Sequence, residues 1–233
     1  MLVLLTNDDG IFAPGLAAME RALKTFADVC VVAPSTEQSG VGHAITFLTP
    51  LTAKEVFAGD SSRGWAVDGS PADAVKLGIS EFCPRRPDLV VSGINSGLNA
   101  GINVLYSGTV AAAIEGAFFG ITSIAVSLEW DEHADYDRAA VIGSGVIRQL
   151  LERRPAAGSL FNVNIPTVAL SGRRGCKLNV TPPVHGGIEH HVTAKGAAHA
   201  DNVAVLPRVP RAVGVRQHGA AVLHVNHGNA DVA

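Results

Sequence analysis

Two adjacent carboxylates follow the first apolar stretch of the chain. Asp8 and Asp9 stand in the sequence Thr6-Asn7-Asp8-Asp9-Gly10, directly after residues 2–5, a wholly apolar run that is typical of a strand buried on both faces. Holding two ionised carboxylates together at a buried strand end is costly unless a cation neutralises them. Because carboxylate oxygens suit a hard divalent metal ion, the pattern predicts a metal site. The alternative is a solvated Asn-Asp-Asp-Gly turn.

A second polar loop follows the next apolar run. Residues 34–40 read Pro-Ser-Thr-Glu-Gln-Ser-Gly and come directly after a predicted strand at residues 29–33. If the two strands are neighbours in a parallel sheet, this loop lies beside the first one. A serine hydroxyl there could ligate a metal ion or bond a phosphate, and the alternative is an ordinary polar turn.

The third loop is the longest and the most informative. It runs from Ser92 to Gly101, and after it residues 106–116 read Tyr-Ser-Gly-Thr-Val-Ala-Ala-Ala-Ile-Glu-Gly. Asn95 and Asn99 offer amide oxygens or donors. Ser107, Gly108 and Thr109 stand where a helix is predicted to begin, and a helix N-terminus with free N–H groups is an anion site. Metal ligands and a phosphate cradle at one sheet edge together favour phosphoryl transfer to water. The alternative is a glycine-rich turn followed by an ordinary threonine N-cap.

The elements that must position these loops alternate along the chain. Further strands are predicted at residues 45–47, 51–56, 65–67, 89–91, 124–128 and 160–165, and helices at residues 16–26, 71–82, 110–118 and 136–151, the second of them capped by Ser70. Strands that alternate with helices predict an α/β fold with a Rossmann-like, mostly parallel, doubly wound sheet. Ligands bind such sheets beyond the carboxyl ends of the strands, so the three loops should meet at one crevice.

The chain is harder to interpret after Gly172. Seven histidines are scattered through sequence rich in valine, alanine and glycine, and no helix is predicted there. His190-His191 and His224-x-x-His227 could ligate a metal ion. No carboxylate or cysteine completes a recognisable spacing, so structural or surface histidines are the alternative. Valine-rich stretches at residues 202–206 and 220–225 are candidate added strands.

Composition limits the possible functions further. The 233-residue chain is 47% hydrophobic with a formal net charge of −3, enough apolar material for one α/β domain and no basic surface for a nucleic acid polymer. Three widely spaced cysteines match neither a zinc site nor a disulfide framework. No apolar run is long enough to span a bilayer, so a cytoplasmic location without a membrane partner is expected.

Four ordered motifs resemble the signature of the SurE nucleotidase family. They are Asn7-Asp8-Asp9-Gly10, Ala33-Pro34 with Ser39-Gly40, Ser70-Pro71-Ala72-Asp73, and Ser92-Gly93-Ile94-Asn95 continued by residues 106–116. The resemblance covers about residues 1–165. The missing G-x-G-x-x-G after the first strand argues against the other fold-compatible reading, an NAD-type oxidoreductase.

This resemblance implies a function and a set of site residues. It implies a Rossmann-like sheet with a C-terminal part used in assembly as a homodimer or homotetramer, and 5′- and 3′-nucleotidase activity on nucleoside monophosphates, with polyphosphate hydrolysis in some members. It implies a divalent metal ion, Mg²⁺ or Mn²⁺, held by Asp8, Asp9, Ser39 and Asn95. Phosphate contacts are implied for Asn99, Ser107, Gly108 and Thr109.

Two expectations concern the whole chain. Residues 1–170 are expected to form the catalytic domain, and residues 171–233 an irregular or β-rich C-terminal appendage for assembly. The Gly-Thr-Asp stretch and the following Gly-Tyr-Val-Ser-Ile-Thr-Pro-Leu strand that are usual in the family do not occur after Gly172. Because the tail departs from that pattern, a nucleotide-binding or interaction protein that keeps the pocket with little turnover is the alternative function.

Overall fold

The computed structural model describes residues 1–171 and the backbone of two short strands at residues 177–181 and 190–193. The described strands form one sheet in the order β3-β4-β2-β1-β5-β6-β7-β8-β9. Their bounds are β1 Leu2–Thr6, β2 Asp28–Pro34, β3 Ala53–Ala58, β4 Ser61–Val67, β5 Leu89–Ser96, β6 Thr122–Leu128, β7 Leu160–Ile165, β8 Lys177–Thr181 and β9 His190–Thr193.

The centre of the sheet is parallel and its two margins are antiparallel. Strand β1 pairs in parallel with β2 and β5, and parallel pairing continues outward to β4 on one side and to β6 and β7 on the other. Strand β3 is antiparallel to β4, and β8 and β9 extend the opposite margin as antiparallel strands. This architecture confirms the predicted α/β class with a mostly parallel sheet.

Helices cover both faces of the sheet. They are α1 Pro14–Leu23, α2 Pro71–Leu77, α3 Gly108–Phe118, α4 Tyr136–Glu152 and the short α5 Thr167–Leu170, with a π-helical turn at Gly78–Phe82 and a 3₁₀ helix at Gly101–Leu105. Along β1, Val3 and Leu5 belong to the core that includes residues of α1 and α4, whereas Leu4 belongs to the core that includes residues of α2. Alternate side chains of one strand are therefore buried on opposite faces, which is why the run at residues 2–5 is continuously apolar.

Helix α2 begins as the sequence predicts. Its N-cap is Ser70, whose side-chain oxygen accepts a hydrogen bond from the backbone N–H of Asp73. The Asp73 carboxylate accepts in return from the Ser70 N–H, which completes a capping box, and Pro71 occupies the first turn. Two of the N–H groups that a helix start leaves unpaired are satisfied in this way.

One predicted strand is wrong and others differ at their ends. Residues 45–47 form no strand, because the backbone N–H of Thr46 donates to the Asp73 carboxylate instead of to a neighbouring strand. The fifth strand extends to Ser96, beyond the predicted end at residue 91. The domain boundary at residue 170 stays a prediction. Strands β8 and β9 agree with a β-rich appendage, and the proposed strands at residues 202–206 and 220–225 lie outside the described residues.

In the part of the chain that the structure describes, no helix combines the length and the apolar character that crossing a membrane requires.

Candidate functional site

The carboxyl ends of the central strands bring the predicted loops to one edge of the sheet. Strand β1 lies between β2 and β5, and its last residue, Thr6, is in register with Ser92 of β5. The loop with Asp8 and Asp9 therefore leaves the sheet between the loop after β2 and the chain leading to Asn95. The three loops are therefore neighbours at one edge of the sheet, as the sequence predicts, and the crevice between them stays a prediction.

Asp8 is joined directly to the start of α3. Its side chain is buried, and its Oδ1 accepts a hydrogen bond of 2.5 Å from the hydroxyl of Thr109. Gly108 makes this approach possible, because a Cβ on Gly108 would lie 2.8 Å from the Cβ of Asp8 and 3.0 Å from the Cγ of Pro71. Two loops separated by 101 residues in sequence thus share one small volume.

The electrostatic environment of the paired carboxyls is unfavourable for negative charge. Burial raises the pKa of Asp9 to about 7, and the negative charges of Asp8 and Glu37 act in the same direction. Burial also raises the pKa of Asp8, while the hydrogen bond from Thr109 opposes the rise. Among the described residues, the charged groups that shift the pKa of these two carboxyls, Asp8 and Glu37, are negative. The site would therefore gain stability from a cation.

The loop after β2 is hydrogen-bonded to the carboxylate loop. The backbone N–H of Gln38 donates to the carbonyl oxygen of Asp8 at 2.7 Å, and the N–H of Ile11 donates to the carbonyl oxygen of Pro34 at 2.9 Å. Ser39 follows Gln38 directly, so it lies close to Asp8 in the fold. Its side chain is exposed and its hydroxyl donates to the carboxylate of Glu37. Ser39 is thus held near the carboxylates by backbone contacts of its neighbour.

Asn95 lies near the end of β5 and is half-buried. Its side-chain Nδ2 donates to the carbonyl oxygen of Gly97 at 2.7 Å. In turn, the N–H of Gly97 donates to the carbonyl oxygen of Leu128 in β6 at 2.7 Å. These contacts fix the orientation of the Asn95 amide, whose carbonyl oxygen is the ligand type that hard cations accept.

Asn99 has a different environment from the other predicted site residues. Its side-chain Nδ2 donates to the hydroxyl of Ser127 at 2.9 Å, and its own backbone N–H and carbonyl oxygen both bond the side-chain amide of Asn164, at 2.9 and 3.1 Å. The side chain of Asn162 donates to the same carbonyl oxygen. All four residues are buried. The side chain of Asn99 therefore anchors its loop to β6 and the backbone of Asn99 anchors it to β7. The contact of Asn99 with phosphate stays a prediction.

Ser107 and Thr109 have structural contacts at the start of α3. Ser107 is the N-cap, and its side-chain oxygen accepts from the N–H of Val110 at 3.1 Å. The N–H groups of the first turn of a helix have no partner within the helix, and Gly108 and Thr109 occupy that turn. An anion at this position would meet N–H donors and the positive end of the helix dipole.

The comparisons with known proteins agree with this geometry. The family model described as "Survival protein SurE" matches residues 3–186. The chain belongs to the SurE family. The match extends beyond residue 165, the limit of the resemblance seen in the sequence, and it includes β8.

Curated relatives share about three quarters of the chain. A protein of Rhodopirellula baltica named "5′-nucleotidase SurE" is 60% identical over 170 residues, which is 72% of this chain and 67% of that protein. A protein of Edwardsiella ictaluri named "5′/3′-nucleotidase SurE" is 43% identical over 178 residues, 76% of this chain and 68% of that protein. The chain spans about two thirds of the length of the curated relatives that it matches.

A solved structure of this family has the same fold. The SurE protein of Aquifex aeolicus is 34% identical, covers 86% of each chain and superimposes with a TM-score of 0.67.

The donor set at this edge suits a hard divalent ion. Among the described residues, no three histidine, cysteine, aspartate or glutamate side chains converge as a metal-binding group. A metal site here would therefore combine the carboxylates of Asp8 and Asp9 with neutral oxygens such as those of Ser39 and Asn95. These residues fit Mg²⁺ or Mn²⁺ better than zinc, which prefers nitrogen and sulfur. The side chains of His190 and His191 lie outside what the structure describes.

Several residues of this site escaped prediction from the sequence. Glu37 adds negative charge to the carboxylate pair, and Arg63 donates two hydrogen bonds to the carbonyl oxygen of Ile11, at 2.9 and 3.1 Å, so that it holds the carboxylate loop from the β4 side. Asn162 and Asn164 are two residues apart in β7, so their side chains lie on the same face of the strand, and this spacing is the only sequence signal of a shared role. Their partner Asn99 is more than 60 residues away in the chain, so the spacing does not identify it.

Proposed function

We propose that this chain is a metal-dependent phosphohydrolase that removes phosphate from nucleoside 5′-monophosphates, and from 3′-monophosphates as a second activity. The nucleotidase class is the one named for its relatives, one of which carries the name "5′/3′-nucleotidase SurE". The observation that carries the proposal is the contact between Asp8 and Thr109, because it places paired carboxylates against a helix start that suits phosphate.

The residues of the chain divide the work in the proposed reaction. Asp8, Asp9, Ser39 and Asn95 would hold the divalent ion, which supplies Lewis-acid polarisation of the phosphoryl group when bound. Thr109 orients the carboxylate of Asp8 through its hydroxyl. Asp8 or Asp9 orients the attacking water and accepts its proton. The N–H groups at Gly108 and Thr109 stabilise the phosphate oxygens as negative charge develops on them.

Substrate and assembly are part of the same proposal. Small nucleotides fit the mildly acidic chain better than a nucleic acid polymer does. A homodimer or homotetramer is proposed from the family resemblance, and the cytoplasmic location expected from the sequence stays a proposal. The side-chain amide of Asn99 donates to the hydroxyl of Ser127. We therefore propose that Asn99 supports phosphate binding by holding its loop in position.

The proposal is tested by following phosphate release from 5′-AMP and 3′-AMP with and without metal. We expect exhaustive EDTA treatment to abolish turnover and added Mn²⁺ or Mg²⁺ to restore it. Asp8→Asn and Asp9→Asn should each lower kcat by at least about 100-fold, as expected when a charge-stabilising group is removed from a site. Asp137→Asn is the matched control, because Asp137 is exposed and forms an ion pair with Arg21 at the surface.

Each outcome separates the alternatives. Turnover that survives chelation would disprove the metal mechanism, and restoration by zinc alone would direct attention to the histidines after Gly172. Binding of 5′-AMP without phosphate release, measured by calorimetry at saturating Mn²⁺, would support the alternative of a nucleotide-binding protein with little turnover.

A further inference from the structure

The connection between β2 and β3 is long and carries Ser39. Residues 35–52 form no helix or strand, and loops of this length in compact domains are commonly functional. Its first part is fixed where the N–H of Gln38 bonds the carbonyl oxygen of Asp8. Immediately after Ser39 come Gly40 and Gly42, with φ of 72° and 56°. Glycine has the least restricted backbone, so the contact of Gln38 fixes the chain only before Ser39, and a second attachment beyond the two glycines is needed to fix it after Ser39.

That second attachment is a contact between His43 and Glu115. Nε2 of His43 lies 2.7 Å from Oε2 of Glu115, whose side chain is only 8% exposed on α3. The ring of His43 also stacks on Phe118, one helical turn further along, with 5.7 Å between ring centroids. Helix α3 is the helix whose N-terminus approaches Asp8, so one rigid element touches both the carboxylate site and the loop that carries Ser39.

The buried carboxylate makes this contact strong. A buried acceptor that loses its hydrogen-bond donor costs more than an exposed one does, because water does not readily replace the donor. Lys76 of α2 is a second partner of Glu115 among the described residues, with its Nζ 3.5 Å from Oε1. Two backbone bonds flank His43: the N–H of Gly42 donates to the carbonyl oxygen of Tyr106 at 3.0 Å, and the N–H of Thr46 donates to the Asp73 carboxylate.

We infer that His43 and Glu115 are positioning residues. Their contact attaches the connection between β2 and β3 to α3 and so holds Ser39, which lies in that connection, beside Asp8. This inference rests on the proposed function, because it assigns Ser39 to the metal site. His43 has no part in proton transfer in this arrangement. Its Nε2 bonds Glu115 and so holds the loop, and it affects the reaction only because it helps to position Ser39.

The test compares four single variants of the full chain at 25 °C. His43→Ala removes the contact with Glu115, and His43→Gln keeps a side-chain N–H that can donate to Glu115. Lys76→Ala removes the other partner of Glu115. Arg21→Ala is the matched control, since it deletes an ion pair that is exposed on both sides. The readouts are hydrogen exchange of residues 39–46 without metal, Mn²⁺ affinity by calorimetry, and kcat and KM for 5′-AMP.

We expect His43→Ala to speed exchange in residues 39–46 and to weaken Mn²⁺ binding by about 10-fold, the usual effect of losing a residue that orients a metal ligand. The loss in kcat/KM should follow the loss in metal affinity and shrink at saturating Mn²⁺. His43→Gln should recover most of both losses, while Lys76→Ala and Arg21→Ala should leave exchange in residues 39–46 unchanged.

The inference fails if His43→Ala exchanges and binds Mn²⁺ like the unaltered chain. It also fails if that variant only melts at a lower temperature while Mn²⁺ affinity at 25 °C is unchanged, because the contact would then stabilise the fold alone. If the unaltered chain neither binds Mn²⁺ nor releases phosphate, the proposed function fails, and the exchange measurement without metal still decides whether His43 holds the loop.

Discussion

At the scale of single residues, burial of the carboxyls of Asp8 and Asp9 lowers the stability of the folded, metal-free protein and creates a site for a cation. Asp9 has a pKa of about 7, well above the ordinary 3.8, because burial and the charges of Asp8 and Glu37 disfavour its ionised form. A carboxyl whose pKa is raised by folding leaves stability intact below about pH 4. It lowers the stability progressively as pH rises from about 4 to about 7, and by a constant amount above that range.

Asp9→Asn should therefore stabilise the metal-free protein. At pH 8 the substitution removes a charge that folding disfavours, and we expect an increase in the free energy of unfolding on the order of 1 kcal/mol after allowance for solvent screening. At pH 4 the two proteins should unfold at similar temperatures, because the carboxyl is then largely protonated. Thermal unfolding in EDTA at both pH values measures this. Equal stability at pH 8 would show that the carboxyl is not destabilised by its surroundings.

Gly108 is the residue whose size controls the approach of α3 to Asp8. Gly108→Ala places a methyl group 2.8 Å from the Cβ of Asp8, so either the helix start or the carboxylate loop must shift. We expect kcat/KM to fall by at least about 10-fold and stability to fall by about 1–3 kcal/mol, the usual cost of overpacking.

The control for this substitution is another helical glycine. A Cβ added at Gly145 in α4 would meet no atom within 4 Å. Gly145→Ala should leave turnover unchanged and raise stability by about 0.5–1 kcal/mol, because alanine has the higher helix propensity. A Gly108→Ala variant that behaves like Gly145→Ala would contradict the close packing of Asp8 against α3.

At the scale of elements, the start of α2 serves both the helix and a loop. Ser70→Ala breaks one half of the capping box and should cost about 1 kcal/mol. Asp73→Ala removes the other half and also the acceptor for the Thr46 N–H, so it should cost more and should loosen residues 44–48. Denaturant unfolding measures the first effect and hydrogen exchange the second. Equal losses in both variants would mean that Asp73 has no separate role in the loop.

The elements also show what sequence reasoning reaches. The central strands, the cap at Ser70 and the meeting of three loops at one edge follow from local patterns: apolar runs, capping residues and the geometry of parallel sheets. The contacts His43–Glu115 and Asn99–Asn164 do not, because they join residues 72 and 65 positions apart. The wrong strand at residues 45–47 has the same origin, since Asp73 competes for its backbone.

At the scale of the whole molecule, the hairpin of β8 and β9 covers the outer edge of β7. Every residue of β7 is buried, and its backbone pairs with β8 from Asn162↔Thr181 to Asn164↔Asn179. Without β8, the unpaired N–H and carbonyl groups of β7 would form an exposed edge, which favours aggregation. The predicted catalytic loops, by contrast, all leave strands on the β1 side of β6.

Truncation after Arg174 should therefore affect stability and assembly more than the chemistry. We expect a lower unfolding temperature and a smaller homo-oligomer by light scattering, while calorimetry still detects Mn²⁺ binding at Asp8 and Asp9. Val180→Pro in the full chain separates two causes, because β8 pairs on both sides and proline disrupts such a central strand. If Val180→Pro lowers stability but keeps the assembly state, residues beyond β9 make the subunit contacts. A truncated chain that assembles normally and no longer binds Mn²⁺ would instead place the C-terminal segment in the active site.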